Sequence, residues 1–406
     1  MPMQRRAFLA SLAAASLAAR LPARAQTNAV SLGDDVFVTG AWMPLRNRTI
    51  GVITNQTGAT SSGVPVVDAI RSNTDLEIKA LFSPEHGLHG DRPAGAYVAS
   101  YTDESTNLPV YSLYGPTRHP SAAMLAGIDA LVFDIQDVGS RAYTFISTMA
   151  YAMQTAKEHG IPFWVLDRPN PVESVVEGPV LDPKFSSFIG LYAIPMRHGM
   201  TIGELAKLFN DRFGIGADLH VVPMQNYTRE MVWPDTGVRW TQTSPNIPTW
   251  QTCFPYLCTG LIDNAGVNNG VGTKRPFFYA GKYAFNADAL AQRLAAADLP
   301  GITFKPAAWS PERGFWAGKT LDGVELIVDD FHTFRAIDSA VHILCAVRDI
   351  SSRAIDIKEP AALDRDWGTD TLRTALVAGK SAPEILDQWT AEVERFKAVR
   401  AKYLLY

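Results

Sequence analysis

The run Thr49-Ile-Gly-Val-Ile-Thr-Asn-Gln-Thr-Gly58 passes from an apolar strand, Ile50–Thr54, into a polar turn that ends on glycine. The pattern repeats along the chain. Ile78–Ser83, Leu108–Leu113, Ala130–Ile135 and Pro162–Leu166 are short and almost continuously apolar, as strands buried on both faces of a parallel sheet must be. Between them, Pro65–Ser72, Ser121–Leu125 and Thr144–His159 read as helices, the last stopped by Gly160. Thr201–Phe213 is a further helix, with Thr201 and Glu204 spaced as a capping box. Strands alternating with helices predict an α/β chain built on a Rossmann-like open parallel sheet. Nucleotide binding does not follow. No G-x-G-x-x-G succeeds the first strand, and the chain holds no P-loop.

Outward from this core, residues 233–273 are rich in Pro, Asn, Thr and Gly and lack periodicity. A loop of that length in a compact protein is usually functional. Beyond it, strands are expected at Pro276–Ala284, Ile302–Pro306 and Val324–Val328. Helices are expected at Asp288–Ala296, Ala336–Arg348 and through the tail from Ala382 to Tyr406. The expected organisation is a Rossmann-like catalytic domain at 26–250, a linking loop at 251–275 and a second, smaller C-terminal α/β domain at 276–406.

The first 25 residues read as an export signal. Arg5-Arg6 precede an Ala/Leu run, and Ala23-Arg24-Ala25 offers a small-x-small cleavage site. The paired arginines favour the twin-arginine route and a periplasmic mature protein. The apolar run is short of the roughly 20 residues that span a bilayer, and no membrane association is expected after cleavage. Removing this segment takes away four arginines and no acid. The remaining 33 Lys+Arg stand against 41 Asp+Glu, a formal charge of −8. Such a surface has neither the basic footprint of a nucleic-acid binder nor a polybasic patch for anionic lipid. Of three cysteines, Cys345 reads as a core residue, while Cys253 and Cys258 are near enough in sequence for a local disulfide. No C-x-x-C pair signals zinc or redox chemistry, no cofactor is expected, and nothing fixes the oligomeric state.

Polar residues gather just after the strands: Asn55; Glu85 and His86; Tyr114; Asp134, Gln136, Asp137 and Arg141; Asp167, Arg168 and Asn170. Ligands of open parallel sheets bind outside the carboxyl ends of the strands, so these residues should converge on one rim. Carboxylates with arginines and amides between them suit sugar hydrolysis, in which one carboxyl protonates the leaving oxygen and another activates water or attacks the anomeric carbon. Glu85, in a tight Pro-Glu-His-Gly turn, is the leading acid. Capping a helix or pairing with Arg92 is its structural alternative. Asp137 and Asp134 compete for the second role, and Asp134 alternatively orders loop amides. Arg141 and Arg168 are candidates for a ligand carboxylate, or else partners of rim acids. His198 is either a substrate contact or a structural hydrogen-bonder. His86-Gly-Leu-His89 lacks the helical spacing of a metal motif, and no G-x-S-x-G elbow is present.

At Gly51–Gly58, Leu81–Gly87, Leu108–Gly115, Val132–Gly139, Leu166–Pro171, Glu177-Gly-Pro179, Arg197–Leu205 and Ser244-Pro-Asn-Ile-Pro248, the sequence resembles the DUF1343 (YbbC/NamZ-like) family of exo-β-N-acetylmuramidases. The resemblance covers nearly all of the mature chain. It implies a Rossmann-like domain and a smaller C-terminal domain with the active site between them. It also implies exo-hydrolysis of terminal N-acetylmuramic acid from peptidoglycan-derived saccharides. Tyr143, Glu177 and Asn246 join Asn55, His86, Arg141, Asp167, Arg168, Asn170 and His198 as substrate-binding candidates on this basis. The chain departs from the family at Asp263–Thr273, where two acidic positions become Asp263 and Asn269 and an arginine becomes Val271. A non-catalytic periplasmic binder of muropeptides or sugars is therefore the alternative, and a hydrolase of another glycan the third reading.

Overall fold

The computed structural model describes residues 29–314, 316–351, 355, 357 and 359–406. The expected export signal lies outside them. In chain order the strands are β1 (Thr49–Thr54), β2 (Glu77–Ser83), β3 (Tyr101–Asp103), β4 (Leu108–Ser112), β5 (Ala130–Asp134), β6 (Phe163–Leu166), β7 (Glu177–Val180), β8 (Pro195–Arg197), β9 (Leu219–Val222), β10 (Tyr279–Tyr283), β11 (Ile302–Trp309) and β12 (Leu321–Val328). Seven form the central sheet in the order β3-β4-β2-β1-β5-β6-β9, and every pair is parallel except β3 with β4. Counting only the six parallel strands in chain order gives 3-2-1-4-5-6, the doubly wound arrangement. Its direction reverses between β1 and β5, so the ligand crevice is expected beyond Thr54 and Asp134.

Burial explains why the strands were readable. All five residues of β5 and all four of β6 are buried, so their apolar runs are unbroken. The turn after β1 needs Gly58, because a Cβ there would stand 2.0 Å from Thr54 Oγ1 and 2.8 Å from the Asp134 carbonyl oxygen. The close approach lets the β1 and β5 ends share one rim. The helix Phe145–His159 ends on Gly160 in the left-handed conformation, a common helix stop. Ile202–Arg212 starts on the expected Thr201–Glu204 capping box.

Several expectations are corrected. Ser121–Leu125 forms turns, not a helix, since so few residues gain little from a costly helix nucleus. The stretch 233–273 is not all loop. It contains the helix Cys253–Thr259 and short 3-10 turns. Pro255 masks the pattern but falls in the helix's first turn, where proline is tolerated. All three cysteines are free and buried. Cys253 and Cys258 share this helix at i, i+5, about 140° apart around its axis, so their thiols diverge. Two helices, Pro360–Trp367 and Thr371–Val377, were not foreseen.

The C-terminal part carries an antiparallel sheet, β10-β12-β11, with the helices Ala287–Ala295 and Ala336–Ile350. One apolar cluster runs without a break from Ile53, Phe133 and Met149 through Phe254 to Leu326, Ile337 and Trp389. No helix among the described residues is long and apolar enough to cross a membrane.

Candidate active site

The turn after β2 places Glu85. Gly87 N–H closes it onto the Pro84 carbonyl, and His86 and Gly87 are both left-handed, at φ 69° and 79°. A non-glycine residue rarely adopts this conformation, so the turn is tightly specified. Glu85 Oε1 accepts from Gly95 N–H at 2.8 Å, and Oε2 from the Thr144 hydroxyl at 2.6 Å. Thr144 occupies the cap position of the helix Phe145–His159 but makes no capping bond; its hydroxyl serves Glu85 instead. The Tyr114 hydroxyl interacts with both Glu85 and Arg118, and burial together with the Glu85 charge raises its pKa. Glu85 neither caps a helix nor pairs with Arg92, whose ionic contact is Asp91.

Asp137 lies three residues beyond β5. Its Oδ2 accepts from Gly139 N–H at 2.7 Å and stands 3.4 Å from His198 Nε2, while Oδ1 has no partner. Met200 N–H donates to His198 Nδ1, so in the neutral ring the proton sits on Nε2 and faces Asp137. His198 is fully buried, and its Nε2 faces this carboxylate without a hydrogen bond to it. Around the two acids, Asn55 Nδ2, Ser83 Oγ, Gln136 Oε1 and Tyr143 Oη are also buried without a hydrogen-bond partner. Most buried polar groups are paired, so this concentration at the sheet's carboxyl rim marks a surface made for a polar ligand. Tyr143 packs beside the hydroxyls of Thr243 and Ser244. Asn246, two residues on, is half-exposed. His86 Nδ1 donates to the Arg92 carbonyl, whereas His89 Nε2 faces Asp103; the two rings do not share a partner.

Other expected residues are occupied by the protein itself. Asp134 is fully buried and takes both Arg168 Nε, at 2.6 Å, and Nη2, at 2.9 Å; Nη2 also reaches Asp34 at 2.8 Å. Burial raises both carboxyls, Asp34 to about 7, with the Arg168 charge opposing it. Burial works against the guanidinium, but the two acids hold it protonated. Asp134 is therefore an ion-pair residue, not an open second carboxylate. Asp167 accepts from Thr201 Oγ1, Gly203 N–H, Arg168 N–H and the Tyr406 hydroxyl. It ties β6 to the next helix and to the chain's last residue, and burial raises its pKa to about 7. Asn170 bonds Met200 and Val172.

Arg141 donates to the carbonyls of Pro179, Ile194 and Asp366. Burial pushes its pKa down to about 9. It is a strut between the sheet domain and the helix Pro360–Trp367, and has no route to a ligand carboxylate. Glu177 accepts from Arg197 and from Ala336 N–H, joining β7 to a C-terminal helix. Sequence reading missed Thr144, Arg118, Asp34 and Tyr256. Burial, with the charges of Glu85 and Asp137 adding to it, raises the pKa of Tyr256. Asn269 bonds the Thr259 carbonyl, Val271 packs on the core and Asp263 is exposed.

A cleft of about 460 Å³ opens at the end of β1, lined by Gln56, Thr60, Gln136, Trp233, Arg239 and Trp240 among others. The indole nitrogens of Trp233 and Trp240 have no partner. A larger groove, about 640 Å³, follows the helix Ala382–Arg400 and holds none of the candidate residues except Glu177. The converging unpaired atoms, not the cavity size, select the rim.

The family model described as "Exo-beta-N-acetylmuramidase NamZ, N-terminal" matches residues 50–251, and its C-terminal counterpart matches residues 254–406. The peptidoglycan beta-N-acetylmuramidase NamZ of Bacillus subtilis (strain 168) is 42% identical over 378 residues, spanning 93% of this chain and 91% of that protein. Two crystal structures of DUF1343 family proteins from Bacteroides fragilis NCTC 9343 share the fold. One is 33% identical with a TM-score of 0.86, the other 30% identical with a TM-score of 0.75, each covering 93% of this chain and 99% of its own.

Proposed function

The chain belongs to the NamZ exo-β-N-acetylmuramidase family, and from that membership we propose that it is a glycosidase of peptidoglycan. It is an exo-acting hydrolase that releases terminal, non-reducing N-acetylmuramic acid from peptidoglycan fragments. The observation that carries the chemistry is the buried Glu85 carboxyl, held by Thr144 and Gly95 at the open rim of the sheet. In this reading Glu85 protonates the leaving glycosidic oxygen. Asp137, with one free oxygen and His198 behind it, supplies the carboxylate of the second half-reaction. Purified mature protein incubated with a MurNAc-GlcNAc disaccharide should yield both free monosaccharides by mass spectrometry. Saturable binding with no product would instead establish the binder reading that the replacements at Asp263, Asn269 and Val271 suggest. Internal cleavage of intact peptidoglycan would contradict both.

Export is part of the same proposal. Arg5-Arg6 and the Ala23-Arg24-Ala25 site direct the chain through the twin-arginine route to the periplasm, where peptidoglycan fragments arise. Protein from a periplasmic fraction should begin at or near Gln26 on N-terminal sequencing. An uncleaved cytoplasmic product would reject it.

A further inference from the structure

N-Acetylmuramic acid differs from N-acetylglucosamine by a lactyl ether, which carries a carboxylate when no peptide is attached. That ether sits on the same sugar ring as the bond to be cleaved. The cation that recognises it must therefore stand within one sugar ring of the general acid. The arginines expected for this task are consumed elsewhere: Arg141 by carbonyls and Arg168 by Asp134 and Asp34. Arg197, equally buried, serves Glu177 and the Val172 carbonyl.

Arg118 meets the condition. Its guanidinium carbon lies 3.8 Å from the centroid of the Phe188 ring and 4.7 Å from that of Tyr114. The two rings are 5.8 Å apart and tilted by 48°, so they fix the plane of the cation between them. Both of these contacts are aromatic rather than acidic. Arg118 is half-buried, as are Tyr114 and Phe188, and the Tyr114 hydroxyl beside it feels both charges: burial and the Glu85 carboxylate raise its pKa, while the Arg118 guanidinium lowers it. A guanidinium seated on aromatic faces keeps its in-plane N–H donors for a planar anion, and its fork matches a carboxylate through two parallel hydrogen bonds. Tyr151 packs on Phe188 and stacks with His119, extending an aromatic wall on which the apolar face of a sugar can lie. Arg239 is the competing cation. It is exposed, and the cleft it lines contains neither Glu85 nor Tyr114.

We propose that Arg118 is the specificity-determining residue that binds the lactyl carboxylate of N-acetylmuramic acid and so distinguishes it from N-acetylglucosamine. This rests on the muramidase reading above. Two measurements separate the failure of one from the failure of the other. In the first, kcat/KM is compared for MurNAc-GlcNAc and for the same disaccharide with its lactyl carboxylate converted to a methyl amide. Arg118→Gln should lose roughly 10- to 100-fold on the acid, mostly in KM, and little on the amide. Arg118→Lys, which keeps the charge without the fork, should fall between. In the second, calorimetry follows binding of free N-acetylmuramic acid and of N-acetylglucosamine to wild type and to Arg118→Gln, whether or not the protein turns over. Selective loss of N-acetylmuramic acid binding supports the proposal even if no hydrolysis occurs. Equal losses on acid and amide, with a shifted pH profile of kcat, would overturn it and leave Arg118 positioning Glu85 through Tyr114. Selective loss in Arg239→Gln but not in Arg118→Gln would overturn it in favour of the other cleft.

Discussion

Replacing Glu85 with Gln should slow the release of N-acetylmuramic acid by about 10²–10⁴-fold, the range that a positioned general acid contributes. The change is nearly isosteric, and the site can absorb it. Gly95 N–H can only donate, so it keeps the amide oxygen at the Oε1 position. Thr144 can turn its hydroxyl to accept from the new NH2 where it now donates to Oε2. Fold and sugar binding should therefore survive while proton delivery is lost. Rate, melting temperature and affinity measured on one preparation decide the matter. Near-normal turnover would remove Glu85 from catalysis. Joint loss of fold and activity would show that Glu85 holds the 85–95 turn rather than the substrate.

Glu85 also shows how far a sequence carries a reading of this site. The five strands read from apolar runs end within a residue or two of their observed bounds, because β1, β5 and β6 are buried almost throughout and β2 over its last four residues, while β4 alternates buried and half-buried residues. The strands that escaped notice lack that constraint. β3 is Tyr-Thr-Asp at the antiparallel edge of the sheet, with two of its three residues exposed. β7 and β8 contain Gly, Pro and Arg and form a separate two-stranded sheet. The acids after the strands look alike in sequence but stand in different places. Asp134 is the last residue of β5 and Asp167 directly follows β6, so both point into packed interior and are claimed by neighbouring elements. Glu85 and Asp137 lie two and three residues past their strand ends, in the turns at the sheet's carboxyl rim. What claims Asp134 and Asp167 arrives from remote points of the chain: Arg168 is shared with Asp34, 134 positions away, and Tyr406 reaches back 239 positions to Asp167. No local pattern announces such partners. Arg118 escaped for the opposite reason, since its neighbours Tyr114 and Phe188 are aromatic and leave no charge pattern.

Arg168→Met should destabilise the protein by about 3–5 kcal/mol at neutral pH, the usual cost of removing one partner from a buried ion pair. The side chain is held by Asp134 through two nitrogens and by Asp34 through one, and both acids are fully buried. Methionine fills much of the volume but leaves two carboxyls without a cation. The loss should depend on pH, with a definite sign. Burial already raises both carboxyls above their ordinary value, and Arg168 is the strongest influence opposing it. Without Arg168 they rise further. A carboxyl whose native pKa lies above its unfolded value adds stability below that native pKa and loses it as pH rises through it. Denaturant titrations should therefore show a smaller gap between variant and wild type at pH 5 than at pH 8. Adding Asp34→Asn and Asp134→Asn should recover much of the loss at pH 8, because the buried charge is then gone. A variant as stable as wild type at both pH values, yet inactive, would defeat this account. It would return Arg168, which also lines the cleft at the end of β1, to the role of substrate ligand.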